Sequence, residues 1–315
     1  MLGQTPESMQ QAMVESGMDA EQVRSEIRQA MASPYLRGGA LLTERIKKRE
    51  WLLQSYAKLA SQYDSAEKVA TEHKLPGAEF YANYYFRHRP VLLTGLMDHW
   101  PALKLWSLDY FERAFGDQQV EVQFGRESDE AYEINNDKFR RQMPMREFIA
   151  MLRADEPSNN FYMTANNDGL NQRSLGKLWN EAGQIDGYLT PNADGGRFFW
   201  MGPKGTLTPY HHDLTNNLLV QVRGRKRVRM VASYDTPLMR NHIHCYSEWD
   251  AQSLSGASAA EPKVYTCDIG PGEALFIPVG WWHHVEAMST TIGLSFTNFV
   301  QDNDFHTFYK TYGPV

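Results

Sequence analysis

The sequence predicts a mainly β domain, a sandwich or jelly roll, with helices on its N-terminal side and flanking the sheets. Three observations predict it. Short apolar segments bounded by Gly, Pro or Asp recur throughout the second half, the pattern of many short strands joined by turns. Residues 1–75 are polar and carry apolar side chains at helical spacing. Two of the later segments bring histidines and an aspartate together, in His211-His212-Asp213 and His283-His284.

Taken in order, residues 1–75 read as an N-terminal helical region and 76–315 as the main domain. Asp19 can cap a short helix in which Val23, Ile27 and Met31 recur every fourth residue. Ser33-Pro34 and Gly38-Gly39 are expected to break that pattern. A longer helix is expected after Thr43, with Leu52, Tyr56, Leu59 and Tyr63 along one face. The main domain or a second subunit can cover such a face, which leaves a homo-oligomer open.

Within the main domain, Arg89-Pro90-Val91-Leu92-Leu93-Thr94-Gly95 reads as a buried strand ending in a turn. Ser107 suits the N-cap of a helix through Phe115, stopped by Gly116. Val120, Val122 and Phe124 alternate as in a half-buried strand, and the polar stretch 126–143 is expected to be loop. Pro144 then opens a helix carrying Phe148, Ile149 and Leu152. The strands of the second half are expected at 197–202, 217–222, 227–231, 273–278 and 291–299, with a surface loop over 253–262.

Bulk composition narrows the function classes. The 315 residues carry a net charge of −6, so no global basic field favours nucleic acid or an anionic membrane. No window approaches the length of apolar sequence a membrane helix needs. The opening segment lacks a charged stretch followed by an apolar core, so no secretory leader is expected. Two cysteines, Cys245 and Cys267, suit a reducing compartment, and a cytoplasmic location is expected.

The chemistry concentrates in two segments. His211 and Asp213 stand two apart in Leu207-Thr208-Pro209-Tyr210-His211-His212-Asp213, a spacing that puts both side chains on one face of a strand. A further imidazole comes from Gly280-Trp281-Trp282-His283-His284. Two imidazoles and one carboxylate form the facial triad of non-haem iron(II) oxygenases, which leaves coordination positions open. Alternation admits only one histidine of each pair. Spacing alone favours His211 over His212 and decides less firmly between His283 and His284.

These segments resemble the JmjC, or cupin-like, oxygenases, nearest the branch of the asparaginyl hydroxylase that acts on hypoxia-inducible factor. The likeness runs from about Phe80 to Val300. It includes Arg89 to Gly95, Trp100-Pro101, Leu207 to Asp213, Asn217, Gln221, Gly224, Lys226, Gly270-Pro271-Gly272-Glu273-Ala274-Leu275-Phe276-Ile277-Pro278 and Trp281-Trp282-His283-His284. The resemblance implies a double-stranded β-helix (jelly-roll, cupin) core with helices outside it. It implies His211, Asp213 and His283 as ligands of Fe(II). Lys226 matches the lysine that grips the distal carboxylate of 2-oxoglutarate, Thr208 and Tyr162 its hydroxyl partners, and Asn217 and Asn298 amides lining the pocket. The implied reaction consumes 2-oxoglutarate and O2, releases succinate and CO2, and hydroxylates a protein or peptide side chain. Family members with His-x-Asp are more often hydroxylases, whereas demethylases commonly carry Glu there. The alternatives are N-methyl-lysine demethylation, hydroxylation of a small molecule, or a metal-binding cupin without turnover, acting as sensor or scaffold. Lys226, Thr208 and Tyr162 together speak against the last, because a mere metal holder needs no receptor for a 2-oxo acid. That branch carries an aromatic two residues after the matched asparagine, where this chain has Val300. Substrate identity and dimer mode are therefore not carried across.

Three further features have plainer readings. Asn241-His242-Ile243-His244-Cys245 reads as a loop near the pocket mouth, without a fourth ligand at metal spacing. Tyr81, Tyr84, Tyr85 and Phe86 read as core packing, and Arg223 to Arg229 as a solvated sheet face with Lys226 turned the opposite way.

Overall fold

The computed structural model describes residues 5–62, 68–164, 169–191, 193, 195–256, 258 and 261–309. The chain divides into two compact units, Met1–Leu59 and Ala60–Val315.

The first unit is helical: α1 (Pro6–Glu15), α2 (Ala20–Ala32) and α3 (Pro34–Ser61). Asp19 caps α2, its carboxylate accepting from the amides of Glu21 and Gln22 at 3.0 and 2.9 Å, and Val23 is buried. Ser33-Pro34 does separate two helices, but Gly38-Gly39 does not break the pattern, and α3 runs through both glycines. Each glycine costs a helix about 1 kcal/mol, too little to interrupt 28 residues rich in Ala, Leu, Lys and Arg. Leu52, Tyr56 and Leu59 are exposed, while Tyr63 lies outside the described residues.

The described residues of the second unit form thirteen strands: β1 (Ala70–His73), β2 (Val91–Thr94), β3 (Gln119–Phe124), β4 (Arg140–Pro144), β5 (Phe161–Tyr162), β6 (Arg197–Gly202) and β7 (Leu207–His212), followed by β8 (Asn217–Arg223), β9 (Lys226–Val231), β10 (Tyr265–Ile269), β11 (Glu273–Ile277), β12 (Trp282–Ala287) and β13 (Thr291–Phe296). A six-stranded sheet has the order β1-β2-β11-β8-β13-β6 and a four-stranded sheet the order β10-β9-β12-β7. From β6 onward the chain crosses repeatedly from one of these sheets to the other, the winding of a double-stranded β-helix. A small third sheet, β4-β3-β5, stands beside them. The unit begins earlier than residue 76, because β1 pairs in parallel with β2 and draws Ala70–His73 into the large sheet.

The core is strongly aromatic. Phe80 stacks on Tyr188 with ring centroids 4.5 Å apart and meets Phe276 edge-on at 5.0 Å. Tyr81, Tyr84 and Tyr85 are buried there, whereas Phe86 faces outward. The helix Leu108–Phe115 starts at Ser107, whose hydroxyl accepts from the Tyr110 amide.

Two sequence expectations change in the small sheet. Residues 140–144 are a strand paired with β3 rather than loop. The alternation of β3 also fails at its end, where Gln123 is 3% exposed and Phe124 40% exposed. Gln123 is flanked on both sides, by Arg140 of β4 and Tyr162 of β5, whereas Phe124 pairs only with Phe161 at the sheet's end. Along β9, Lys226, Val228 and Met230 face inward and Arg227 and Arg229 the other way. Arg223 and Arg225 of this basic run are exposed, while Arg227 pairs with Asp268 at 2.8 Å and Arg229 donates to the Ala251 carbonyl. No described helix is long and apolar enough to cross a membrane.

Candidate metal centre

β7 and β12 are antiparallel neighbours, and their register sets His211 directly opposite His283. Directly opposed side chains share one face of a sheet at close range, and the two imidazole centroids are 4.1 Å apart. Asp213 follows the last residue of β7, and the Gly280 amide donates to its carbonyl at 3.1 Å. One donor atom from each of His211, Asp213 and His283 lies within 4.8 Å of the others. The facing residues point away from this group: Trp282 packs edge-on against His212, and His284 lies near the Tyr210 ring.

The hydrogen bonds fix what these donors can do. His211 Nδ1 lies 2.9 Å from the Pro209 carbonyl and His283 Nδ1 lies 3.0 Å from the Trp281 carbonyl. A carbonyl oxygen only accepts, so each Nδ1 carries a proton and Nε2 is the ring nitrogen left to face the group. Both Nε2 atoms stand 3.8 Å from the Asp213 carboxylate, beyond hydrogen-bond reach. The donors therefore do not satisfy one another. Two imidazoles held by carbonyls at Nδ1 and a carboxylate oriented by the Asn217 amide at 2.9 Å fit a divalent transition metal with its supporting shell. Burial, reinforced by neighbouring His211, pushes the His283 imidazole down to about 4, which keeps it neutral and able to bind a cation. Burial alone would raise the Asp213 carboxyl, but His283, His211 and the Asn217 amide together hold it below its ordinary value.

Beside the triad a cavity opens between the two large sheets. Thr208, Lys226 and Val285 line it from one sheet, and Asn217, Leu219, Ile277 and Ser295 from the other. Tyr162 and Trp200 close its end. Lys226 is buried, its Nζ 3.4 Å from the Tyr162 hydroxyl, and burial brings its ammonium down to about 8. No carboxylate among the described residues offsets that burial. An unpaired buried cation is costly, so this cavity has the chemistry of an anion receptor. Asn217 gives its amide to Asp213 and leaves a buried side-chain oxygen with no partner, an acceptor that takes no part in holding an anion. The Tyr162 hydroxyl, held neutral by burial, supplies a donor at the same end.

Of the sequence-predicted residues, the structure brings together His211, Asp213, His283, Lys226, Thr208, Tyr162 and Asn217. Asn298 is not among the residues lining the cavity; its amide donates to the Thr190 carbonyl at 3.1 Å and ties down that connection. In the 241–246 loop, Tyr246 bridges to His211 and the Asn241 amide donates to the Tyr246 carbonyl.

Sequence reasoning missed several contributors. Leu219 lies two residues after Asn217 and Val285 two after His283, so strand alternation had the information to place both. Trp200, held by the Ser295 hydroxyl at 2.9 Å, carried no such signal. Nor did Gly202, where an added Cβ would stand 2.5 Å from the Tyr162 ring. Only glycine there lets Tyr162 reach the cavity.

Residues 77–304 match the family model described as a cupin-like domain. The chain is 28% identical to "Lysine-specific demethylase 8" of Xenopus tropicalis, covering 74% of this chain and 53% of that protein. It is 30% identical to "Jumonji C domain-containing protein 5" of Drosophila melanogaster, over 69% of this chain and 56% of that protein. It is 23% identical to the human "Bifunctional peptidase and (3S)-lysyl hydroxylase JMJD7", over 69% of this chain and 79% of that protein. The chain thus spans about half the length of the first two relatives.

Proposed function

This chain belongs to the cupin-like domain family, and from that premise we propose that it is an Fe(II)- and 2-oxoglutarate-dependent oxygenase hydroxylating a protein or peptide side chain. One observation carries the reading. The His211-Asp213-His283 group and a buried lysine without an acidic partner share a single cavity. A metal holder alone has no use for that lysine. A 2-oxo dicarboxylate has use for both ends of the site, one to chelate and one to pair with the ammonium.

When bound, iron with 2-oxoglutarate and O2 supplies the oxidising power, which the protein does not. The chain supplies binding and orientation. His211 and His283 would present their Nε2 atoms to the metal, and Asp213 would add one negative charge. Lys226 offers an ammonium to the distal carboxylate of the co-substrate, with the Tyr162 and Thr208 hydroxyls beside it. Leu219, Ile277 and Val285 give the cavity apolar wall surface.

A protein or peptide substrate is supported by the human relative's name, and Asp213 in the His-x-Asp position favours hydroxylation. The names of the Xenopus and other relatives support N-methyl-lysine demethylation as the second reading. Free Cys245 and Cys267 suit a cytoplasmic setting. The test is succinate formation from 2-oxoglutarate with Fe(II), with and without candidate peptides. Asp213→Ala is expected to abolish metal binding and turnover while leaving the circular dichroism unchanged. Wild-type turnover in that variant, or no iron-dependent succinate from the native protein, refutes the reading.

A further inference from the structure

The proposed chemistry leaves one buried cation unexplained. Gly125 turns the chain off the end of β3 with φ +91, and Arg126 follows it fully buried at 0% exposure. One guanidinium nitrogen, Nη2, donates to Glu133 Oε1 and to the Leu207 carbonyl, both at 2.7 Å. The Tyr132 hydroxyl donates to that same carbonyl at 3.0 Å, and the Leu207 amide is held by Asn159 Oδ1 at 2.9 Å. The guanidinium carbon lies 4.4 Å from the Tyr132 ring centre and 5.2 Å from that of Tyr162. Nε and Nη1 are buried with no partner.

This is an expensive way to brace a loop. A buried guanidinium with two idle donors costs more than an apolar side chain of the same shape. Its contacts converge on one place. Leu207 immediately precedes Thr208, which lines the cavity, and the Tyr162 ring lies by the guanidinium while its hydroxyl meets Lys226. A flat guanidinium can lie against an aromatic ring while its edge grips a carbonyl and a carboxylate, and an ammonium cannot do both.

We propose that Arg126 is a positioning residue for the co-substrate: it sets the Thr208 and Tyr162 hydroxyls against the distal carboxylate. This rests on the 2-oxoglutarate reading above. Arg126 does not touch the triad, so its effect falls on the distal end of the ligand and not on the chelating end.

The experiment compares wild type, Arg126→Met and Arg126→Lys loaded with Mn(II) under nitrogen. Calorimetry measures binding of 2-oxoglutarate and of 2-oxobutyrate, which keeps the chelating end and lacks the distal carboxylate. Both variants are expected to bind 2-oxoglutarate at least tenfold more weakly, with Mn(II) and 2-oxobutyrate affinities within about twofold of wild type. Arg126→Lys retains the charge and carries the test if Arg126→Met does not fold. Equal losses for both 2-oxo acids, or an unchanged 2-oxoglutarate affinity in Arg126→Lys, overturn the proposal. If the wild-type protein binds no 2-oxoglutarate, the functional reading itself fails, and this one with it.

Discussion

Replacing Lys226 by Met should move stability and ligand binding in opposite directions. Lys226 is buried without a carboxylate, and its ammonium falls from 10.5 to about 8. At ~1.4 kcal/mol per pH unit that drop corresponds to about 3 kcal/mol of cost to the folded state. Because the folded value lies below the unfolded one, the cost is present in full below about pH 8. It fades as pH rises toward the unfolded value. Methionine fills a similar volume without charge, and it forfeits the hydrogen bond to Tyr162, about 1 kcal/mol. The net gain is about 2 kcal/mol near pH 7, or roughly 4–8 °C in Tm for a unit of this size. The same change leaves a bound dicarboxylate buried opposite no cation, a loss of about 3 kcal/mol or ~100-fold in affinity. Thermal unfolding of the metal-free protein and calorimetry with 2-oxoglutarate measure the two sides. A Lys226→Met variant that is less stable than wild type, or that binds 2-oxoglutarate equally well, refutes the assignment of this lysine as a co-substrate receptor.

The same ammonium sets a pH dependence. Affinity for 2-oxoglutarate should be flat below about pH 8 and then weaken about tenfold per pH unit as Lys226 loses its proton. In Lys226→Arg, whose guanidinium stays charged, titrations across pH 7–9.5 should show no such slope, and a slope that persists assigns the dependence to another group. Gly202→Ala should push Tyr162 out of the cavity, since the new Cβ meets its ring at 2.5 Å. A loss of about 1–3 kcal/mol of stability is expected from overpacking, with 2-oxoglutarate binding weakened about tenfold and metal affinity retained; a crystal structure with Tyr162 unmoved contradicts this.

Much of the site was legible before any coordinates, because strand alternation and turn residues are local. His211 and Asp213 share a face through their spacing of two, and Lys226 faces inward because its neighbours alternate around it. The short strands of the second half follow from Gly and Pro punctuation around apolar runs. Local reasoning failed where a segment takes its structure from its partners. Residues 140–144 become a strand by pairing with β3, and Ala70–His73 by pairing with β2. Gly38-Gly39 stayed helical because the residues around it outweigh a local penalty.

What the sequence by itself determined is the chemical inventory and the facing of each side chain along its own strand. It contains two imidazoles, a carboxylate, a lysine and hydroxyls of the right kinds. Only the tertiary structure decided which of them meet. The β7–β12 register places His211 opposite His283, Gly202 clears room for Tyr162, Arg126 reaches the strand before Thr208, and Asn298 is drawn off to Thr190. The physical reason is that alternation is a property of one strand. Register, close approach and the partner of a buried charge depend on two segments distant in sequence, and are fixed only when the sheets pack.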